Sequence, residues 1–420
     1  MEVKMQNIYI SNILINKVRH LENINSPMST KGMKHLILTG KNGSGKTSLL
    51  NAMAIFLESI TCFDELPSAM CSLEKEREKL QKVIGNSEAE YRVKEIKERI
   101  RKYEKQINLS AGGVWLELNR QLADVQSLFL EGKFVVAYYK AEREFKTQVP
   151  KHVEKVQLGK YYSIDDEPRN QFIKYLLDLK VTEALAKANG KEEKATRIAE
   201  WFEALQNLLK DIFEDDSVHL IFEEESFKFT IHMNGREPFE FNTLSSGFSA
   251  IMEIVVDLMF RMERHTNKVF DYSLPGIVLI DEIETHLHLE LQKKVMKLLT
   301  TLFPNIQFIV TTHSPFILNS FENAIIFDLE NNLFVKEGLT DIPYAGIVEG
   351  YFKADTLSKS LRTKYDRYKE LVYKPVLSDA DMDEIADLEM YLNEIPDYLA
   401  LDITTEYQRL KLELRAREDI

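Results

Sequence analysis

Apolar residues recur along this chain with two different spacings, and together the two spacings predict an α/β fold. Nearly continuous apolar runs at residues 34–39, 277–280 and 306–310 predict strands that are covered on both faces. Apolar positions three and four residues apart predict amphipathic helices, including a long one at residues 246–264. A core sheet with helices packed against it accommodates both patterns.

Shorter segments complete the predicted framework. Two of them, residues 114–118 and 134–139, are expected to belong to a second sheet, and alternating residues around 224–226 predict a β-hairpin. The other predicted elements are strands at 7–10, 19–25, 219–223 and 227–232, and helices at 46–57, 170–179, 184–213 and 289–302.

Residues 71–109 have the charged pattern of a helical hairpin. One apolar seam repeats every three and four residues, at Val93, Ile96, Ile100, Tyr103 and Ile107. A weaker seam precedes a turn-forming segment at residues 85–87. We expect two antiparallel helices with arms about 25 Å long, at about 1.5 Å per residue. A solvated helical excursion without a partner explains the pattern equally well.

The last seventy residues are predicted to be helical with segregated charge. Residues 353–374 include seven basic and three acidic residues, whereas residues 379–408 include ten acidic residues and no basic one. Ser378 precedes an acidic first turn and is expected to cap the helix that begins there. The simplest interpretation is a helical pair that docks on itself or on a partner.

Composition excludes several classes of protein. The chain has 420 residues, 44% of them hydrophobic, so it can bury a large core in one large domain or in two or three smaller ones. Its net charge of −13 argues against a nucleic-acid coat, and any nucleic-acid contact needs a local basic patch. Two cysteines, Cys62 and Cys71, are too few for a disulfide framework or a zinc site. Because no apolar stretch of about 18 residues or signal-like start occurs, we expect a cytoplasmic protein without membrane contact.

The strongest chemical signal is the octapeptide GKNGSGKT at residues 40–47. It matches G-x-x-x-x-G-K-[ST], follows a buried strand and opens a helix, which is the context that a phosphate-binding loop requires. Backbone N–H groups and the helix N-terminus would surround phosphate oxygens. Lys46 would contact the β- and γ-phosphates, and the Thr47 hydroxyl would bind Mg²⁺. The predicted nucleotide-binding residues are Gly40, Asn42, Gly43, Ser44, Gly45, Lys46, Thr47 and Ser48.

Two later strands end in residues that suit nucleotide hydrolysis. Residues 276–280 run directly into Asp281, a candidate Mg²⁺ ligand, and Glu282, a candidate general base. The strand at 306–310 is followed by His313, whose neutral imidazole could hydrogen-bond the γ-phosphate and the attacking water. Ligands of open α/β sheets bind at such carboxyl ends of strands. We therefore predict Lys46, Glu282 and His313 as catalytic residues.

With these motifs the chain resembles an ABC-type ATPase of the SMC/RecF/OLD-like branch. In that family the three segments are the Walker A, Walker B and switch-histidine elements, and LIDEIETHLH at 279–288 and TTHSP at 311–315 are close to its typical forms. LSSGF at 244–248 is similar to the family's signature segment. The resemblance implies that Ser245, Ser246 and Gly247 contact the γ-phosphate of ATP held by an opposing subunit, in a head-to-head homodimer.

The match to this family is incomplete. Phe248 replaces the common Gln or Glu, and Leu289 replaces a common proline. The Q-loop and the adenine contact are not identifiable, and the weak candidates are Arg19, Tyr139, Lys140, Glu142 and Arg143. His286, His288, Glu284 and Glu290 could suggest a metal cluster, but the resemblance places them in the D-loop at the dimer interface. Asp379, Asp381 and Asp383 resemble the acidic residues of a TOPRIM nuclease, yet the helical pattern around them favours an acidic helix start and no intrinsic nuclease.

These observations predict an α/β ABC-ATPase head, with a P-loop core sheet and an antiparallel β subdomain, a helical hairpin insertion and a helical C-terminal appendage. The expected division is 1–70 for the N-terminal part of the head, 71–109 for the hairpin, 110–240 for the β subdomain and helical region, 241–340 for the rest of the head, and 341–420 for a partner-docking region.

Compact ATPases of this form resemble the ATPase subunits of bacterial anti-phage systems such as Septu and PARIS. That resemblance implies ATP and Mg²⁺ as ligands and a separate nuclease or toxin as the effector that hydrolysis controls. The alternative is a RecF- or SMC-like ATPase of DNA repair or maintenance that binds DNA directly, for which the hairpin and residues 353–374 are the basic surfaces. An inert nucleotide-dependent scaffold or a transporter subunit fits less well, because every catalytic element is present and the insertion is charged.

Overall fold

The computed structural model describes residues 7–29, 32–61, 65–83, 90–150, 152–266, 270–335, 339, 359–393 and 401–415. The chain divides into two compact units, Met1–Ile342 and Pro343–Ile420. Across the described ranges, no helix has the length and apolar content that crossing a bilayer requires.

The strands in chain order are β1 (Ile10–Val18), β2 (Leu21–Pro27), β3 (His35–Thr39), β4 (Val114–Leu118), β5 (Val135–Tyr139), β6 (His219–Glu223), β7 (Lys228–His232), β8 (Phe239–Glu240), β9 (Gly276–Ile280), β10 (Ile306–Thr311), β11 (Ala324–Asp328) and β12 (Leu333–Val335). The α-helices are α1 (Lys46–Thr61), α2 (Glu65–Val83), α3 (Glu90–Ser110), α4 (Leu122–Leu130), α5 (Phe172–Ala188), α6 (Glu192–Phe213), α7 (Ser246–Glu263), α8 (Leu289–Leu302), α9 (Pro315–Asn319), α10 (Lys359–Val372), α11 (Asp379–Asn393) and α12 (Leu401–Arg415).

The core of the first unit is a six-stranded sheet in the order β12-β11-β3-β10-β9-β5. Five of its strands are parallel, and β12 pairs antiparallel to β11 at one edge. The strands β3, β9 and β10 are buried along their whole length, as their continuous apolar runs predict, and β11 is buried in the same way. The predicted α/β fold with a P-loop core sheet is therefore confirmed.

The strand β5 belongs to this core sheet, so its predicted place in a second sheet was wrong. It pairs in parallel with β9, from Val135 opposite Gly276 to Tyr139 opposite Ile280. Four of its five residues are buried, which is the property of a strand covered on both faces rather than of a half-exposed antiparallel strand. Proximity in sequence to β4 was a poor guide to its partner.

The antiparallel subdomain is a three-stranded sheet in the order β2-β1-β4. Its first strand runs from Ile10 to Val18, so the strand predicted at residues 7–10 was placed too early. Ile10, Ile13, Ile15 and Val18 are its buried residues, and their uneven spacing hid the strand from a period-two search. Arg19 adopts φ 54° in the turn that leads into β2.

The helices α2 and α3 pack against each other in antiparallel directions. Arg77 pairs with Glu104 at 3.0 Å and Arg99 pairs with Glu76 at 3.2 Å, and Leu66 near the start of α2 joins the same apolar core as Ile107 near the end of α3. The helix α2 begins at Glu65, before the predicted start of the hairpin, and the turn predicted at residues 85–87 lies outside the described residues. Partly buried Ile100 and Tyr103 join the main core, so the hairpin has an apolar base.

A helical pair and a small sheet complete the first unit. The helix α5 continues to Ala188, so the break between α5 and α6 does not lie between residues 179 and 184 as predicted. It lies at Gly190, which has φ 67°. The hairpin of β6 and β7 is present as predicted, and β8 adds a third strand to it. The aromatic ring of Trp201 on α6 is buried against Tyr175 of α5.

The second unit consists of α10, α11 and α12 around their own apolar cluster. Arg367 of the basic helix forms two 2.8 Å hydrogen bonds to Glu384 of the acidic helix, and Lys369 pairs with Glu406 at 3.0 Å. The segregated charges therefore partly neutralise each other within this unit, which reduces the charge that is left for a partner. The predicted cap is present, because the Ser378 hydroxyl accepts from the Asp381 N–H and donates to the Asp381 carboxylate.

The close packing around Gly276 in β9 gives a test of this architecture. A Cβ added at Gly276 would lie 2.5 Å from the Val135 carbonyl oxygen and 2.6 Å from Ile306 Cδ1, so β9 would have to move away from β5. We expect Gly276→Ala to lower the free energy of unfolding by about 1–3 kcal/mol, as overpacking does. Thermal melts would measure it, with Gly32→Ala as the control because nothing lies within 4 Å of that added Cβ. Equal melting temperatures for the two variants would contradict the strand arrangement.

Candidate nucleotide-binding site

The glycine-rich loop leaves β3 and enters α1 through three left-handed glycines. Gly40, Gly43 and Gly45 have φ of 129°, 84° and 97°, conformations that side chains with a Cβ rarely adopt. A Cβ added at Gly40 would lie 2.9 Å from the Ser44 hydroxyl oxygen, whereas one added at Gly43 would meet no protein atom within 4 Å. The loop is therefore tightly packed at its base and open at its tip, where Asn42 is exposed.

The first turn of α1 supplies donors to the same place. The N–H groups at the start of a helix have no partner within the helix, and here they belong to the segment that includes Thr47 and Ser48. Lys46 is only 6% exposed, and its ammonium donates to the carbonyls of Gly40 at 2.8 Å and Lys41 at 3.2 Å. Burial lowers the pKa of Lys46, while the nearby carboxylates of Glu282 and Asp281 oppose that shift.

Asp281 joins three segments of the candidate site. Its Oδ1 atom accepts hydrogen bonds from the Thr47 hydroxyl at 3.2 Å and from the Thr311 hydroxyl at 2.6 Å. The side chain is 4% exposed, so these bonds form away from bulk water. Neighbouring hydroxyl and carboxylate oxygens are the ligand type that Mg²⁺ prefers, so Thr47 and Asp281 fit the predicted metal site. Thr311 had no predicted role, although its place at the carboxyl end of the strand beside β9 was a usable signal.

Glu282 follows in an unusual backbone conformation. Its φ is 45°, a left-handed value that costs a non-glycine residue about 1–3 kcal/mol. Its N–H donates to the Thr311 hydroxyl at 2.7 Å, and its carboxylate accepts from the Thr285 hydroxyl at 3.3 Å. Strain of this kind is held by surrounding contacts and is often found at functional sites.

Arg143 supplies such contacts. Its guanidinium donates to the carbonyls of Asp281 at 2.7 Å, Glu282 at 2.8 Å and Ile283 at 3.2 Å. The side chain is only 4% exposed, so it is unsuited to the adenine contact considered for it. Tyr139 is also buried, and its hydroxyl donates to Asp257 at 2.8 Å. The other candidates for that contact, Arg19, Lys140 and Glu142, are exposed and stay predictions.

His313 lies at the carboxyl end of β10 and is partly buried. Its backbone N–H donates to the Glu284 carboxylate, which ties the switch segment to the loop after β9. Burial lowers the pKa of the His313 imidazole, and the nearby Lys46 ammonium lowers it further, while Glu284 and Glu282 oppose these effects. A lowered pKa favours the uncharged imidazole at neutral pH, which is the form that the hydrogen-bonding role predicted for it requires.

The segment similar to the family signature opens α7. Ser245 is the N-cap residue but its side chain makes no capping hydrogen bond, and the side chains of Ser245 and Ser246 are exposed. A Cβ added at Gly247 would lie 2.9 Å from the His286 carbonyl oxygen, so glycine permits close packing there. Phe248 packs on Phe213 with ring centroids 4.4 Å apart, which gives this departure from the family pattern a packing role.

The candidate metal cluster after β9 takes no metal-binding form. His288 instead caps α8, accepting from the Leu291 N–H at 3.5 Å, and its ring meets Phe248 edge to face. Glu290 pairs with Lys293 at 2.8 Å. Within the part of the chain that the structure describes, no group of three or more His, Cys, Asp or Glu side chains could hold a metal ion, including the acidic start of α11.

One family model and several curated proteins match parts of this chain. Residues 143–319 match the family model "AAA domain, putative AbiEii toxin, Type IV TA system". The chain is 26% identical over 386 residues to Septu protein PtuA from Bacillus mycoides (strain KBAB4), covering 86% of this chain and 46% of that protein. It is 32% identical over 184 residues to the retron Ec83 probable ATPase from Escherichia coli, covering 42% of this chain and 32% of that protein.

Among solved structures, the head of an SMC protein bound to the C-winged helix domain of ScpA aligns with a TM-score of 0.36 and 15% identity, over 78% of this chain and 96% of that one. The chain spans less than half the length of the two curated relatives described above. Similarity to a Septu protein and to a retron ATPase confirms the resemblance that the motifs indicated.

The electrostatics of His313 can be measured directly. We expect its pKa, followed by NMR of histidine-labelled protein, to lie below the ordinary value of 6.5 because the ring is partly buried beside Lys46. Lys46→Met should raise that pKa, since it removes a positive charge and leaves the carboxylates in place. The resonance of His313 is identified as the one that is missing from the spectrum of the His313→Gln variant. A pKa that does not change in the Lys46→Met protein would mean that the two side chains are farther apart than the structure has them.

Proposed function

We propose that this chain binds ATP with Mg²⁺ and hydrolyses it across the interface of a head-to-head homodimer. The proposal depends on one observation, which is that the Asp281 carboxylate accepts hydrogen bonds from two segments. The Thr47 hydroxyl donates from the glycine-rich loop, and the Thr311 hydroxyl donates from the switch segment. Lys46, Glu282 and His313 come from the same three segments, at the carboxyl edge of the core sheet.

Each side chain has a distinct part in this reaction. The loop N–H groups and Lys46 would bind the phosphates, and Thr47 and Asp281 would hold Mg²⁺. The metal ion, when bound, neutralises charge that develops on the phosphate oxygens. Glu282 would accept the proton of the attacking water, and the uncharged His313 would hydrogen-bond the γ-phosphate and that water. The strained, bonded backbone of Glu282 supports a fixed position for the base.

The signature segment supports the proposed homodimer. Ser245 and Ser246 are exposed at the N-terminus of α7, where backbone N–H groups and the helix dipole favour an anion. A surface of this kind suits the γ-phosphate of a nucleotide on a second copy of the chain. ATP would then join two heads, and hydrolysis would release them.

The biological role that we propose is control of a separate effector, a nuclease or toxin, in bacterial anti-phage defence. The similarity to a Septu protein and to a retron ATPase supports it. The described parts of residues 359–415 are helical, which offers a surface for docking but not the βα sheet of an acidic-residue nuclease. In this proposal, chemistry directed at a target comes from the partner.

Direct DNA binding is the alternative, and one surface favours it. Lys17, Arg101 and Lys105, together with Glu104, line a cavity of about 710 Å³ at the base of the helical hairpin. Basic side chains grouped in this way can contact phosphates even on an acidic protein. The net charge of −13 weakens this alternative, because it repels nucleic acid over the rest of the surface.

Two substitutions separate ATP binding from hydrolysis. Lys46→Ala should abolish ATP binding, since it removes the phosphate-binding cation. Glu282→Gln should keep ATP binding, lose turnover by about 10²-fold or more because the general base is gone, and accumulate a dimer in ATP and Mg²⁺. Light scattering after size exclusion measures the dimer. A Glu282→Gln protein that stays monomeric with ATP bound would exclude the sandwich mechanism.

The trapped state also identifies the partner. Tagged Glu282→Gln protein, expressed with its chromosomal neighbourhood and purified in ATP and Mg²⁺, should co-elute with a stoichiometric nuclease or toxin. Lys46→Ala purified in parallel is the control, because it cannot form the ATP-bound state. Recovery of DNA alone, released by moderate salt as counterion competition predicts, would favour the repair or maintenance role instead.

A further inference from the structure

Three consecutive carbonyl groups around the candidate general base point at one side chain. Glu282 has φ 45°, and the carbonyls of Asp281, Glu282 and Ile283 all accept hydrogen bonds from Arg143. We propose that Arg143 is a positioning residue, which holds Glu282 in the orientation needed for hydrolysis without touching the nucleotide. This inference rests on the proposed ATPase function and deepens it.

The geometry of the Arg143 side chain suits this task. Its planar guanidinium presents several N–H donors in a rigid fork, and here Nη1 reaches Asp281 while Nη2 reaches Glu282 and Ile283. Nη1 also donates to the Lys140 carbonyl at 3.0 Å, which links the turn to the loop after β5. A lysine ammonium would keep the charge but could not bond the same carbonyls from one plane.

Backbone carbonyl dipoles stabilise the positive charge of Arg143. Burial lowers the pKa of the guanidinium, and the surrounding carboxylates, led by that of Glu253 on α7, oppose the shift. Four carbonyl contacts bond Nη1 and Nη2 and stabilise the buried cation, whereas Nε is buried without a hydrogen-bond partner. Because those carbonyls surround Glu282, movement of Arg143 would move the backbone of the base.

Arg143 is in turn fixed to the helix that opens with the signature segment. Two residues later, the Phe145 N–H donates to the buried Ser249 hydroxyl of α7 at 2.7 Å. The Phe145 ring packs against Phe172 and Phe241, with centroids 5.9 and 6.4 Å away. The segment 143–145 therefore connects the turn of the base with α7, the helix expected to meet the partner's nucleotide.

The first test is Arg143→Lys, which keeps the charge and most of the volume. We expect kcat to fall by about 10²-fold, the effect of displacing a catalytic group by about 1 Å. The dissociation constant for ATP should stay within about twofold, because none of the four carbonyls that accept hydrogen bonds from Arg143 belongs to the glycine-rich loop. The ATP-bound dimer should accumulate, as is expected for Glu282→Gln. A parallel loss of ATP binding and turnover would overturn the proposal, since it would indicate a general effect on the fold.

A double variant tests whether Arg143 acts through Glu282. Residues that act as one unit are not additive, so adding Arg143→Lys to Glu282→Gln should leave the residual single-turnover rate unchanged. A further loss of about 10²-fold in the double variant would mean that Arg143 acts independently of the base and would overturn the proposal. Normal turnover by Glu282→Gln alone would instead refute the proposed function, so the two failures are distinguishable.

Arg169→Lys is the matched control. Arg169 is also buried, but it pairs with Glu253 at 3.0 Å and Asp257 at 3.4 Å and does not bond the turn around Glu282. The Arg169→Lys substitution should lower the melting temperature and leave kcat within about threefold.

If Arg143→Lys does not fold, Ser249→Ala provides the test, because it removes the hydroxyl that holds the Phe145 N–H without altering Arg143. A kcat loss that disappears in the Glu282→Gln background supports the proposal, and an unchanged kcat overturns it.

Discussion

Parallel pairing of β3, β10 and β9 is the constraint on which the candidate site depends. Thr311 pairs with Leu38, and Val310 pairs with both Ile37 and Ile280, so the three strands end together. Residues that lie far apart in sequence consequently meet within hydrogen-bond distance, as Thr47 and Thr311 do at Asp281. A change in register of one residue would turn Asp281 toward the opposite face of the sheet and separate these groups.

A network of buried charges joins α7 to β5. Arg261 of α7 donates to the Asp257 carboxylate at 2.7 Å and to the Val136 carbonyl of β5 at 2.9 Å, and Arg169 joins the same carboxylate. Burial raises the pKa of neighbouring Glu253 to about 7. Removing one partner from such a network leaves an uncompensated charge, which is costly in a low-dielectric interior. The network thus links α7 to β5 and to the segment that bears Arg169.

The surfaces expected to meet partners differ in how much charge they leave open. In the second unit, the basic and acidic helices pair through Arg367, Glu384, Lys369 and Glu406, so charge segregation in sequence became contact within the fold. At the base of the helical hairpin, by contrast, Lys17 and Arg101 line an open cavity, although Lys17 also pairs with Glu22 at 2.7 Å. Exposed ion pairs of this kind are weak, so both surfaces can exchange their pairs for a partner.

The sequence by itself determined the elements whose chemistry is local. A glycine-rich loop needs left-handed backbone and a helix start, and those needs are written in consecutive residues such as Gly43, Gly45 and Lys46. The same holds for the apolar strand before Asp281 and for the cap at Ser378. For this reason the α/β class, the motif segments and the helical tail were predictable.

Only the tertiary structure decided which distant segments became neighbours. Period and composition could not assign β5 to the core sheet, because pairing with β9 depends on packing across about 140 residues of chain. They could not distinguish Arg143 from its exposed neighbours, because its backbone partner at Glu282 comes near only on folding. They gave Thr311 no role, because the Asp281 carboxylate that it bonds is likewise brought near by folding. Sequence patterns record what a residue needs locally, whereas a shared hydrogen-bond partner exists only once the chain has folded.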